Sequence, residues 1–180
     1  MKKLLLVAVI SVFAAGSAFA QNYFGYESKN DVSRSSLLFV DYRGEVQVGY
    51  SVGVGSIGAN RANFHTIHGV QIGDYFSTGL GTGIDLYHGD SDTAILIPAF
   101  INFKGYLPVS GLVSPYASCD LGGSFGIGDV SGLSGFMCTP AVGVQVGMFQ
   151  IQVGYALQQF SEEGLSISSN AIQFKLGVNF

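Results

Sequence analysis

The chain has no tryptophan, only two cysteines and four prolines, and little charge. Asp, Glu, Lys and Arg together make up 11 % of its 180 residues, against about 25 % in an average soluble protein. A soluble domain with so few charges would struggle to stay dispersed as a monomer. The net charge of −4 is mild, and no basic patch is visible, which argues against a nucleic-acid partner. Beyond the N-terminal segment there is no long uninterrupted apolar run, which excludes an α-helical membrane protein. What is abundant is glycine, with 26 residues, together with 14 Phe and 9 Tyr in a chain that is 48 % hydrophobic.

The first residues read as a processing signal. "MKK" is a basic start, "LLLVAVISVFAA" is a short apolar run, and Ala18 and Ala20 in "SAFA" form a small-x-small cleavage pattern before Gln21. Residues 1–20 are therefore expected to be a secretory signal peptide. No Cys follows the cleavage site, which argues against a lipoprotein anchor. Residues 21–43 carry mixed charge and no clean alternation at their start, and are expected to be a periplasmic leader or the start of a first strand. The remaining length, 44–180, suits one domain.

That domain opens on "EVQVGYSVGVG", in which Val46, Val48, Tyr50, Val52 and Val54 alternate with small or polar residues. A strict period of two is a strand with two unlike faces. The pattern recurs in "NFHTIHGVQIG", where Ile67 breaks it, and in "YFSTGLGTGIDLYH". "AILIPAFINFKGYL" is apolar on both faces at first, and "PYASCDLGGSFGI" alternates again. "GFMCTPAVGVQVG", "FQIQVGYALQQF" and "NAIQFKLGVNF" complete the series. About eight strands of roughly ten residues each match the length a tilted strand needs to cross a bilayer. The in-strand charges Glu45, Asp85, Lys104, Asp120 and Lys175 all fall on the small-polar phase. On a lipid-facing phase each would cost a few kcal/mol near the midplane. Their common phase puts lipid on the valine side and makes these five residues a candidate lumen polar network. A secreted β-sandwich, with the valines in a dry core, is the alternative.

The connections fit the same scheme. Gly73-Asp74, Gly147-Met148 and "PVSGLVS" would be the periplasmic turns. "SIGANRA", "GDSDT", "GDVSGLS" and "SEEGLSISS" would be the outer loops. Outward aromatics near strand ends, Phe76, Phe103, Phe149 and Phe180 on one side and Phe64, Phe125 and Phe136 on the other, are placed as interfacial girdles. The fold class expected is all-β, an eight-stranded antiparallel up-and-down transmembrane barrel.

The chain at this point resembles a known family. "RGEVQVGY", "HGVQIGDYFSTGLGTGIDLYH", "IPAFINFKGYL", "SPYASCDLGG", "PAVGVQVG" and the terminal "FKLGVNF" look like the small outer-membrane β-barrel domain proteins of Gram-negative bacteria, over about residues 43 to 180. The resemblance implies an outer-membrane location after export. It also implies contact with outer-membrane lipid and with the barrel-assembly machinery, whose signal Gln173, Val178 and Phe180 partly match. Lys175 stands where that pattern usually has Gly.

Candidate chemistry is sparse. Lys104 is expected to pair with Asp120 across one hairpin, as a structural plug of a barrel just wide enough to be filled by side chains. His65 and His68, three apart on a strand, fall on opposite faces and are not expected to share a metal. Some outer-membrane barrels modify lipid acyl chains with Ser and His near the outer rim, and "YHGDS" offers Ser91, His88 and Asp90 in one loop. Gly-Asp-Ser is also ordinary turn chemistry. Cys119 and Cys138 share the outward phase on consecutive strands and form a disulfide if the register brings them level. Pro98 and Pro140 each remove a ladder donor and are expected to mark bulges or bends. No cofactor, metal or catalytic residue is assigned. The function expected is a non-catalytic, monomeric outer-membrane protein with a structural or surface role. A conduit or binding site for a small or apolar solute and a lipid acyl-modifying enzyme are the alternatives.

Overall fold

The computed structural model describes residues 40–55, 58–88, 93–107, 113–162 and 165–180. The predicted signal peptide and residues 21–39 of the leader lie outside them, as do Asp90 and Ser91.

Eight strands form a closed antiparallel barrel in sequence order. They are β1 (Val40–Val54), β2 (Asn60–Ile72), β3 (Phe76–His88), β4 (Thr93–Tyr106), β5 (Val113–Ile127), β6 (Ser134–Val146), β7 (Phe149–Glu162) and β8 (Leu165–Asn179). Val40, Asp41, Tyr42 and Arg43, on the leader side of the expected boundary, belong to β1. Closure is made by β1 against β8, from Glu45↔Asn179 to Val54↔Asn170. A closed sheet leaves no unpaired edge, which is what a strand needs in an apolar solvent.

The barrel has a turn end and a loop end. At the turn end, Gly73-Asp74-Tyr75 and Gly147-Met148 link neighbouring strands directly. Gly73 and Gly147 hold φ of 58° and 59°, the left-handed region that tight hairpins require and glycine occupies without strain. The loop end carries the short 3-10 turn Gly128–Val130 between β5 and β6.

The two faces are chemically separate. Outward, Val48, Val52, Leu80, Ile101, Phe125, Val142, Ile151, Phe174 and Leu176 are all exposed. Inward, Glu45, Gln47, His65, Asp85, Lys104, Asp120, Gln158 and Lys175 are all buried. This is a soluble protein's pattern turned inside out. The outward aromatics Phe76, Phe103, Phe149 and Phe180 stand toward the turn end, and Phe125 and Phe136 toward the loop end.

Ile67, which breaks the alternation of β2, stays in phase and faces inward, where it packs with Phe100 and Met137. The double-sided apolar start of β4 has the same cause. Leu96 and Phe100 are buried in the lumen while Ile101 and Phe103 point out. The prolines do not make bulges. On either side of Pro98 the β3–β4 register is unchanged, with Thr82↔Ala99 and Asp85↔Leu96. Pro98 still pairs with Ser124 of β5, and Thr82 Oγ1 donates to the Pro98 carbonyl at 2.9 Å. Pro140 likewise interrupts only the β6–β7 ladder, between Cys138↔Leu157 and Ala141↔Gly154, and pairs with Cys119 on its other side. Each ring removes one donor from one ladder and leaves the strand count intact.

Candidate functional site: the lumen

The lumen is filled in layers, and the residues that fill it come from every strand. Nearest the turn end, Arg43 of β1 donates to Glu45 Oε1 at 2.8 Å, Gln71 Oε1 at 2.9 Å and Gln145 Oε1 at 2.7 Å. Its guanidinium lies 5.1 Å from the centre of the Tyr106 ring.

The next layer centres on Glu45. Lys104 Nζ reaches Glu45 Oε1 at 2.8 Å and Oε2 at 2.7 Å, and also Gln150 Oε1 at 2.9 Å. Gln47 and Gln150 donate amide hydrogens to Glu45 Oε2 at 3.0 and 2.9 Å. Lys104 sits 4.7 Å from the centre of the Tyr116 ring. A buried carboxylate is tolerable only when its charge is met and its lone pairs are filled, and here both conditions hold.

The partner expected for Lys104 was Asp120, and the structure corrects this. Lys104 does lie opposite Ser118 on β5, one step from Asp120. Its long side chain nevertheless crosses the narrow lumen to β1 instead of running along its own hairpin. Asp120 is held by Asn102 Nδ2 at 2.5 Å and Lys175 Nζ at 3.3 Å. Lys175, the departure from the assembly pattern, is thus a lumen cation.

Above the apolar layer of Ile67, Phe100 and Met137, Asp85 accepts from Asn63 Nδ2 at 2.7 Å and contacts His65 Nε2 at 2.9 Å. Ser51 donates to Asn63 Oδ1 at 2.7 Å, and Gln173 donates to Ser51 at 3.2 Å. Nearest the loop end, Arg61 donates to the Tyr87 hydroxyl at 2.6 Å, and both Arg61 and Tyr87 donate to Gln158. Tyr87, Leu96 and Phe160 then close the loop end, with Val130 and Leu133 packed against them.

Arg43 and Arg61 are the lumen charges that sequence reasoning missed. Both sit on the inward phase of their strands, and extending the alternation of β1 and β2 by one period past the segments quoted above would have found them. Glycine makes room for the larger fillers. A Cβ on Gly81 would overlap the Phe100 ring.

The remaining candidates lie elsewhere. His65 is buried and His68 exposed, on opposite faces. His68 instead joins Tyr42, whose hydroxyl is 2.6 Å from Nδ1, and stands edge-on to Phe180. Phe180 exchanges both backbone hydrogen bonds with Gly44, at 2.7 and 2.9 Å, and a Cβ on Gly44 would collide with its ring. Val178 pairs with Val46, and Gln173 with Ser51. His88 ends β3 exposed, its Nδ1 3.1 Å from the Leu86 carbonyl. The rest of that loop triad, Asp90 and Ser91, lies outside the described residues. Cys119 and Cys138 are free thiols with sulfurs 4.0 Å apart. Their strands are not level at this point, since Cys119 pairs with Pro140 and Cys138 with Leu121, so the two approach on a diagonal.

The architecture is shared with small outer-membrane barrels. The crystal structure of Neisserial surface protein A (NspA) superposes with a TM-score of 0.61 over 78 % of this chain and 97 % of that one, at 13 % identity. The crystal structure of the outer membrane enzyme PagL gives 0.52 over 74 % and 98 %, at 11 % identity. At such identities the likeness is one of fold. No protein-family model and no curated protein sequence matches the chain.

Proposed function

We propose that this protein is an integral outer-membrane barrel with a structural or surface role, exported by a cleaved signal peptide, inserted by the barrel-assembly machinery and monomeric in the lipid. One observation carries the reading. The Glu45 cluster, with Arg43 and Lys104 as counter-charges, fills the inside of a barrel whose outside is a predominantly apolar belt. Belt and plug belong together. The belt needs lipid, and the plug consumes the polar groups a conducting pore would offer to water. A non-catalytic role is supported by the buried carboxylates, which among the described residues are held by fixed partners.

The test has two parts. Unboiled material from the outer-membrane fraction is expected to migrate differently from boiled material, as folded barrels resist SDS. Reconstituted in a planar bilayer, the folded protein is expected to give no steady ion current. A soluble periplasmic protein without a mobility shift would overturn the membrane reading. A steady current would overturn the sealed lumen.

A further inference from the structure

Among the described residues the lumen is filled above Arg43, and a recess lies below it. At the turn end a solvent-facing recess of about 480 Å³ is lined by Asp41, Arg43, Asp74, Tyr106, Gln145 and Asn179, among others. We propose that this recess is a binding site for a small zwitterion, an amino acid or short peptide. Its carboxylate would lie against Arg43 and its ammonium at the Asp41–Asp74 rim. The inference goes beyond a structural role and does not rest on it, since the recess exists whether or not the protein has another activity.

Three observations point this way. First, Arg43 does not have a counter-charge to itself. It shares the Glu45 carboxylate with Lys104, and it is the cation bordering the recess. Second, Arg43 has donors to spare. NH1 and NH2 each spend one hydrogen, on Gln71 and Gln145, and each carries a second. With its side chain 14 % exposed, Arg43 is held rigid by three acceptors and remains reachable from solvent. Charge-assisted donors of this kind suit a carboxylate. Third, Asn179 lines the recess at 8 % exposure, and neither its amide nitrogen nor its amide oxygen has a hydrogen-bond partner among the described residues. A buried amide left unmatched costs stability, and a ligand that engages it recovers the loss. The rim supplies the opposite sign. Asp41 and Asp74 are both exposed, and both line the same recess. An anion alone would meet their repulsion, whereas a zwitterion satisfies both ends.

The experiment uses the full folded barrel in detergent micelles, labelled with nitrogen-15, and follows the Arg43 and Asn179 side-chain signals during titration. Diglycine, acetate and glycinamide are the probes. Diglycine is expected to shift both signals saturably, with acetate and glycinamide each at least ~10-fold weaker. Arg43→Met is expected to weaken diglycine by ~10-fold or more. Asn179→Asp keeps the shape of the side chain and places a negative charge beside the carboxylate, so it is expected to weaken diglycine comparably even if Arg43→Met folds poorly. The proposal is overturned if diglycine shifts neither signal, if acetate binds as tightly as diglycine, or if Asn179→Asp leaves diglycine affinity unchanged. Heat-modifiable mobility of each variant reports folding independently of binding.

Discussion

Lys104 of β4 reaches across the lumen and places its ammonium 2.8 and 2.7 Å from the two carboxylate oxygens of Glu45 on β1. The strands are not neighbours in the sheet, so the pair ties opposite walls of the barrel together. Lys104→Met leaves Glu45 buried with Arg43 as its remaining cation. Removing one partner of a buried pair costs about 3–5 kcal/mol. The midpoint of thermal loss of the fast-migrating gel form is expected to fall accordingly, and Lys104→Met/Glu45→Gln to recover part of the loss. An unchanged midpoint in the single variant would refute the cross-lumen pair.

The packing of Phe100 against Gly81 predicts a second outcome. Gly81→Ala adds a methyl where the Phe100 ring already sits. Overpacking of this kind costs about 1–3 kcal/mol. Phe100→Leu in the same chain is expected to return most of the stability, measured by the same thermal gel assay. Equal destabilisation of the single and double variants would show that the two sites are uncoupled.

The seam where the barrel closes gives a third. Gly44 is bare because the Phe180 ring lies over it. Gly44→Val is expected to displace that ring and to lower the fraction of newly made protein that reaches the heat-modifiable form in the membrane. Gly105, where an added Cβ would meet no neighbour, is the control, and Gly105→Ala is expected to leave assembly unchanged.

The two thiols give a fourth. A disulfide needs sulfurs about 2.0 Å apart, and the 4.0 Å between Cys119 and Cys138 has to close by about half. Mild oxidation by a copper–phenanthroline catalyst with dissolved oxygen is expected to remove two hydrogens from the intact chain, read by mass, and to block alkylation of both thiols. In Cys119→Ser the mass loss is expected to disappear. Two alkylatable thiols after oxidation of the parent protein would show that the diagonal holds them apart.

Much of this was legible in one dimension. The period of two needs only the alternation of Cβ directions along a strand, so Val46 to Val54 and Gln150 to Gln158 declare their faces locally. Glycine at the turns, as at Gly147, is equally local, because the φ it adopts is a property of one residue. The phase shared by Glu45, Asp85, Lys104, Asp120 and Lys175 needs no knowledge of neighbours either. A closed sheet turns one phase of every strand toward the same interior.

What the sequence left undecided concerns distances between residues far apart in the chain. Ile67 looked like a flaw in β2 until Phe100 and Met137, from β4 and β6, arrived beside it. Pro98 and Pro140 looked like bulges, whereas the ladder on either side of each keeps its register, because losing one donor does not change a strand's length. Alternation along each strand settles which residues face inward. Which of them meet depends on how the sheet closes: Lys104 turns from Asp120, one step away on its own hairpin, to Glu45 on the far wall. A lysine side chain is long enough to cross so narrow a barrel, and the Glu45 carboxylate, with Gln47 and Gln150 already donating to it, lies on the other side.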